Sequence, residues 1–177
     1  MDSLVCAEEL RVANRLAGCV FVDYGHPAQI VEGWKAFAYC GSRKVPLVAV
    51  HAFGLDLGDM GHSAGARVVP SRNACLLSLA ANIAGRMGAG ALVIGATATD
   101  QRDYPDCRPA FFAPMSAALG IQILAPLVHL DKRGVVARAR ELGLQRSETW
   151  SCYGPGPDPC GACPCCLNAD AAWAVES

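Results

Sequence analysis

Four short runs of the sequence, VFVDYG (20–25), PLVAVHAF (46–53), ALVIGAT (91–97) and IQILAPL (121–127), are apolar almost without interruption. A strand with one wet face alternates apolar and polar residues, whereas a strand covered on both faces does not. Near-continuous runs are therefore the mark of a parallel sheet sandwiched by helices. The segments between them have helical periodicity. Residues 2–18 offer Asp2 or Ser3 as an N-cap, and residues 27–41 open on Pro27 and close on Gly41. Residues 73–88 end at Gly88, and residues 131–143 start from Asp131 as cap and carry Gly134 inside. Helix and strand thus alternate, which predicts a doubly wound α/β fold. Ligands in such folds gather at the C-terminal ends of the strands, here just after Tyr24, Phe53, Gly95 and Pro126. Residues 54–72 and 97–109 read as long loops. The whole of 1–177 reads as one domain, with a cysteine-rich tail over 150–177 inside it.

That tail cannot fold by burying apolar surface. Residues 151–166, SCYGPGPDPCGACPCC, hold five of the ten cysteines and four prolines. Cys152, Cys160, Cys163 and Cys166 follow C-x7-C-x2-C-x2-C, a spacing that lets four thiolates reach one tetrahedral Zn2+. Four thiolates close the coordination sphere, so the site reads as structural, and the metal supplies the folding energy that the segment lacks. Iron–sulfur ligation by the same four residues competes with this reading, as does a tail of loose thiols or an oxidised pair. Cys165 is a surplus ligand beside Cys166. The N-terminal stretch MDSLVCAEELRVANR has acids early and no cationic segment, unlike a secretory leader. Together with the absence of an apolar run of about 18 residues, this predicts a cytoplasmic protein with no membrane partner. In that compartment clustered cysteines favour metal over disulfides. The net charge is −1 and there is no Lys/Arg block, so no direct nucleic-acid binding is expected.

Several other residues have chemistry to offer. Arg72 and Asn73 in VVPSRN precede a helical segment, where backbone N–H groups and a guanidinium together suit a phosphate; a surface Arg that caps or pairs is the plainer account. The loop after ALVIGAT carries Asp100, Asp103 and Asp106, groups that fit a polar heterocycle or Mg2+, or simply a solvated acidic loop. Lys132 opposes the dipole of the helix it starts, which favours a functional reason for it over a plain surface role. Among the histidines, His26 follows the first run at a turn, His51 reads as a core or near-core residue, and His62 and His129 as surface. There is no Walker-type loop and no G-x-G-x-x-G.

Taken in order, MDS (1–3), VDYGH (22–26), VPSRN (69–73), YPDCR (104–108), DK (131–132) and TWSCY…CGAC…C (149–166) resemble the 7-cyano-7-deazaguanine synthases of the PP-loop ATPase superfamily. The resemblance covers essentially the whole chain and is most specific in YPDCR and TWSCY. It implies an adenine nucleotide alpha hydrolase-like sheet and a ligase that uses ATP with Mg2+. In that reaction the carboxylate of 7-carboxy-7-deazaguanine is activated, ammonia displaces the leaving group, and the amide is activated again and dehydrated to a nitrile. By resemblance, Asp2, Ser3, Val22, Asp23, Tyr24, Gly25, Arg72 and Asn73 bind ATP. Gly95, Asp100, Tyr104, Asp106 and Arg108 hold the deazaguanine, Lys132 and Arg72 act on the phosphates, and the four cysteines hold zinc. A homodimer is left open.

The chain departs from the family at its start. The family's phosphate loop reads S-G-G-x-D-S and this sequence begins at its last three positions, Met1, Asp2 and Ser3. The resemblance implies that the strand before that loop is the middle of the sheet, so VFVDYG and ALVIGAT are expected to lose their shared partner. An internal methionine taken for the start is the simplest account, and a true truncation the alternative. His26 also stands where the family commonly has Gln, and the loop before VPSRN is short. Two alternatives stay open: a variant stopping at the 7-amido product, and an inactive, zinc-stapled binding module.

Overall fold

A computed structural model of the chain describes residues 1–52 and 69–175. Phe53, His62 and most of the 54–72 loop lie outside the described residues. Among the described residues four strands and six α-helices run in the order α1 (Asp2–Val12), β1 (Cys19–Asp23), α2 (Gln29–Arg43), β2 (Leu47–His51), α3 (Arg72–Met87), β3 (Ala91–Val93), α4 (Pro109–Leu119), β4 (Gln122–Leu124), α5 (Lys132–Glu141) and α6 (Pro164–Ala174).

Among the described residues the strands pair as two separate ladders, not as one hydrogen-bonded sheet. β1 pairs in parallel with β2, from Cys19 opposite Leu47 to Asp23 opposite His51, and β3 pairs in parallel with β4, from Ala91 opposite Gln122 to Val93 opposite Leu124. Helices cover both faces, as the apolar runs require. Leu92 and Ile123 pack with Leu77 and Ala84 of α3 and Phe112 of α4. Val93 turns the opposite way, into a cluster of Val5 and Cys6 of α1 with Val135 and Ala139 of α5. Helix α3 touches both β1 and β3 and so spans the two half sheets.

The C-terminal ends of α1 and α2 differ from the sequence expectation, while α3 ends at Gly88 as expected, and one closure recurs in all three. Helix α1 stops at Val12 because Asn14 turns left-handed at φ 55°, and Arg15 N–H then donates to Leu10 C=O at 2.8 Å. Helix α2 passes through Gly41 and stops at Arg43, where Lys44 has φ 54° and Val45 N–H reaches Cys40 C=O at 2.9 Å. Gly88 closes α3 in the same way, with φ 66° and Ala89 N–H on Ala84 C=O at 3.0 Å. These are Schellman closures, in which a left-handed residue lets a later N–H satisfy an orphan carbonyl. Only the glycine among them announces itself in the sequence. At the start of α1 the N-cap is Met1, not Asp2 or Ser3, and no side chain caps it. Asp131 does cap α5, accepting from Gly134 N–H at 2.9 Å.

Two helices were not expected. Helix α4 begins at Pro109, at the edge of the predicted loop, and carries Pro114, a residue that masks helical character in sequence. Helix α6 lies in the cysteine tail, opening on Pro164 with the Cys163 thiol accepting from Cys166 N–H. His51 is a further correction. It is exposed, not in the core, because its ring meets Asp23 at 3.1 Å at the open end of β1 and β2.

A buried charge cluster ties α1 to α2. Glu8, only 3% exposed, accepts from Arg11 at 2.8 and 2.9 Å, from the Tyr39 hydroxyl at 2.9 Å and from Arg43 at 3.0 Å. Arg43 also reaches Glu148 at 2.7 Å, just before the tail. The Arg11 bonds, with help from Tyr39 and Arg43 and against the opposition of burial, hold the Glu8 carboxyl below its ordinary value. A carboxylate lowered in the folded state adds stability that is present above its unfolded pKa and lost as the pH falls through the folded value. Glu8→Gln is therefore expected to cost about 2–4 kcal/mol at neutral pH, because Arg43 is left without its buried partner. The same substitution should flatten the loss of stability below about pH 4.5. Urea denaturation at a series of pH values checks both.

Candidate functional site

The C-terminal ends of β1 and β3 open into a cavity of about 450 Å³. Its mouth is built from four separate stretches of sequence. Helix α1 delivers Asp2 and Ser3, and it lies so close to the end of β3 that a Cβ on Gly95 would stand 2.4 Å from the Ser3 nitrogen. Only glycine permits that approach. The start of α3 delivers Arg72 and Asn73, after Ser71 in a left-handed turn at φ 57°. The end of β1 delivers Val22 and Tyr24, and the loop after β3 delivers Asp100 and Tyr104.

The polar groups here are fixed by short bonds. Lys132 donates to both carboxylate oxygens of Asp2, at 2.8 and 2.9 Å, so the cation that opposes the α5 dipole is balanced across the mouth. Asp100 Oδ2 accepts from Thr97 N–H at 2.9 Å and from its hydroxyl at 2.7 Å. The Arg72 guanidinium lies 5.5 Å from the centre of the Tyr104 ring, and among the described residues no carboxylate is within ion-pair distance of it. Burial works against its charge, and the neighbouring Tyr24, Tyr153 and Tyr104 outweigh that, so its pKa is held above the ordinary value. Burial pushes the Tyr24, Tyr104 and Tyr153 phenols up, and each is an uncharged hydroxyl at neutral pH. A half-buried cation ringed by neutral phenols, with no carboxylate beside it among the described residues, has the chemistry to accept an anion.

Other expected residues stand elsewhere. Asp23 accepts from Gly25 N–H at 3.1 Å, making the turn that follows β1, with Gly25 at φ 86°. Asp106 accepts from Asn73 N–H at 2.9 Å, and Asn73 Nδ2 donates to Asp106 C=O and to the Cys107 thiol, each at 3.2 Å. These bonds tie VPSRN to YPDCR and place Asp106 behind the cavity wall. Arg108 is exposed, donates to Gln101 C=O at 2.8 Å and is not part of the lining. Sequence reasoning gave no role to Trp150 or Tyr153, although both line the cavity. Their signal was their place in TWSCY beside Cys152, where docking of the tail carries them inward.

The four cysteines of the tail come together. The sulfurs of Cys152, Cys160, Cys163 and Cys166 all lie within 4.8 Å of one another, and those of Cys160 and Cys166 are 3.9 Å apart. Tetrahedral ligation with Zn–S of about 2.3 Å places sulfurs about 3.8 Å apart, so the set fits one ion, and all four are free thiols. Backbone N–H groups donate to three of the sulfurs: Gly154 and Cys160 to Cys152, Cys163 to Cys160, and Cys166 to Cys163, at 3.2–3.4 Å. Such bonds stabilise thiolates. At Cys160, bonds from the Ala162 and Cys163 amides and from Cys152 bring the pKa down to about 6. Cys165 is outside this set and sits near Tyr153, where burial pushes its thiol up to about 11.

Residues 55–176 match the family model described as queuosine biosynthesis protein QueC. The 7-cyano-7-deazaguanine synthase 1 of Sphingopyxis alaskensis is 33% identical over 193 aligned positions, covering 94% of this chain and 86% of that protein. The 7-cyano-7-deazaguanine synthase of Solidesulfovibrio magneticus is 40% identical over 126, covering 63% and 54%, and that of Marinobacter nauticus 42% over 117, covering 63% and 53%. The matched part of the chain thus spans about half the length of the last two relatives.

The cysteine geometry predicts one zinc per chain. Cys160→Ser should drop the bound zinc, measured by elemental mass spectrometry, from about one to well below half an equivalent at micromolar free metal. Cys165→Ser should leave it unchanged.

Proposed function

The chain belongs to the QueC family of queuosine biosynthesis proteins, and from that membership we propose that it converts 7-carboxy-7-deazaguanine and ammonia to 7-cyano-7-deazaguanine at the expense of ATP. The observation that carries this reading is the cavity mouth, where the starts of α1 and α3, the end of β1 and the loop after β3 meet around the carboxylate-free Arg72.

The chemistry sets the demands. A carboxylate is a poor electrophile and needs a good leaving group, so a nucleotide phosphate must be held in line with it while negative charge develops. The first amides of α1 and α3 present N–H groups and the positive ends of helix dipoles, which suits phosphate oxygens. Arg72 adds a fixed cation there, and Lys132, anchored by Asp2, adds a second. Val22 and Tyr24, at the rim, border the adenosine, with Asp23 and Gly25 shaping the turn. Gly95, Asp100 and Tyr104 take the deazaguanine, with Asp106 and Arg108 supporting that loop from behind. Mg2+ would neutralise phosphate charge, and the oxygen donors of Asp100 are the ones suited to hold it. Zinc in the four-cysteine site would act structurally, keeping Trp150 and Tyr153 in the wall.

In this reading the two half sheets belong to one doubly wound, adenine nucleotide alpha hydrolase-like sheet. Residues 1–177 form a single domain with the zinc segment at 150–177 inside it, and the protein works on small molecules in the cytoplasm. Among the described residues no helix is long and apolar enough to cross a membrane.

Mass spectrometry of the products of zinc-loaded protein, 7-carboxy-7-deazaguanine, Mg-ATP and ammonium tests the proposal. Nitrile is the expected product. Amide that accumulates would define an enzyme that stops halfway, and no product with intact ATP binding would leave a binding module. Arg72→Ala is expected to lower turnover by about 100- to 1,000-fold, the usual cost of removing a charge-stabilising group. Measuring its kcat and KM separately distinguishes lost charge stabilisation from lost binding.

A further inference from the structure

The turn after β1 carries a buried imidazole to which the proposed reaction gives no part. We infer that His26 is a positioning residue: fixed by Glu32, it backs the ring of Tyr24 and so sets where that phenol meets Arg72 at the cavity mouth. The inference rests on the reading of Arg72 as the group that holds an anion. His26 is only 2% exposed, and its Nε2 lies 3.1 Å from Glu32 Oε2 in the first turn of α2. A carboxylate only accepts, so Nε2 carries the proton, and the bond fixes the ring's orientation. Among the described residues Nδ1 is buried without a hydrogen-bond partner. An imidazole kept for stability alone would be bonded at both nitrogens. Glu32 is 34% exposed, and pairs so open to water add little stability. The bond therefore matters for orientation more than for energy.

What the fixed ring touches is Tyr24. The two ring centroids are 4.6 Å apart with their planes inclined by 32°, at the short end of the range over which aromatic rings pack. Gly25, between them, makes this contact possible. At φ 86°, with its N–H donating to Asp23 at 3.1 Å, it bends the chain sharply enough for its two neighbours to lie ring against ring. Tyr24 in turn lines the cavity with Arg72, and of the three phenols about that guanidinium it acts most strongly on it, its hydroxyl facing the charge. The order is thus Glu32, His26, Tyr24, Arg72. Glu32 lines the same cavity, so both ends of this row open on one space.

The residue type at position 26 separates two contributions. Gln can donate to Glu32 through its amide but offers no aromatic ring to Tyr24. Phe offers the ring but no donor, so nothing fixes its orientation against Glu32. Only His supplies a ring face and an N–H together, and that combination keeps Tyr24 from turning away from the guanidinium.

The test compares His26→Gln, which loses the ring, His26→Phe, which loses the donor, and His26→Ala, which loses both. The first readout is hydrogen exchange of the Arg72 side-chain Nε–H by nuclear magnetic resonance, with the backbone amide of Leu77 in the α3 core as reference. Exchange at Arg72 is expected to speed up by at least ~10-fold in the Ala and Gln variants and by less in the Phe variant, with Leu77 unchanged. The second readout is affinity for inorganic pyrophosphate by calorimetry. It should fall about tenfold in His26→Ala and should fall no further when that change is added to Arg72→Ala, because the two act through one group. Unchanged exchange at Arg72 in folded Ala and Gln variants would overturn the inference. Equal acceleration at Arg72 and Leu77 would overturn it too, since it would mark His26 as a residue of general stability, and so would additive losses of affinity. If the Ala variant does not fold, the Gln and Phe variants carry the same comparison. Pyrophosphate that does not bind the unsubstituted chain would count against the anion reading of Arg72, while exchange at its Nε–H still decides the role of His26.

Discussion

Helix α3 is the element on which the arrangement of the rest depends. It packs on β1 of one half sheet and on β3 of the other, and so helps to set how far apart the two stand. Its first turn carries Arg72 and Asn73 to the cavity mouth, and Asn73 ties that turn to Asp106 and Cys107. The same packing that buries Leu77 and Ala84 therefore aims a guanidinium. A substitution that tilts α3 would alter the core and the cavity mouth together, because interiors at crystal-like density pass displacement on instead of absorbing it.

Much of this was legible in the sequence. Near-continuous apolar runs gave all four strands, because burial on both faces is written directly into composition. The periods of α2, α3 and α5 were visible because each has one apolar stripe packed inward. Helix ends were poorly legible where Asn14 and Lys44, not glycine, adopt the left-handed turn, since that depends on which carbonyl is left to satisfy. Helix α4 was hidden by Pro114 and by apolar residues all round, which carry no period. His51 was misplaced because a strand residue near an open end can turn to a carboxylate, here Asp23, and strand membership alone does not reveal it.

The candidate site was legible as a set of segments and less so as a set of roles. Asp2, Ser3, Val22, Tyr24, Arg72, Asn73, Gly95, Asp100 and Tyr104 converge on one cavity although they come from points up to a hundred residues apart. Asp106 and Arg108, read from the same block as Tyr104, sit behind it, because a turn of 3-10 helix at Pro105–Cys107 sends neighbouring side chains in different directions. Tyr153 could be found only once the tail was seen docked. Its neighbour Cys152 is buried against Ala28 and Trp150, so the four-cysteine cluster and the cavity wall are two sides of one loop.

The hydrogen bond from Met1 to the carbonyl of Trp150 joins residues 149 positions apart. Trp150 in turn donates from its indole to Cys152 C=O at 2.7 Å. During synthesis from the N-terminus, α1 leaves the ribosome long before the residues that complete its surroundings. Its apolar stripe and the buried Glu8 carboxylate must wait for α5, Glu148 and the cysteine loop to emerge. The contact that finishes the molecule is thus also among the most distant along the chain, the kind of closure that slows folding and lengthens exposure of unpaired edges. The cysteine loop, among the last of these residues to appear, thus closes on a helix made well before it.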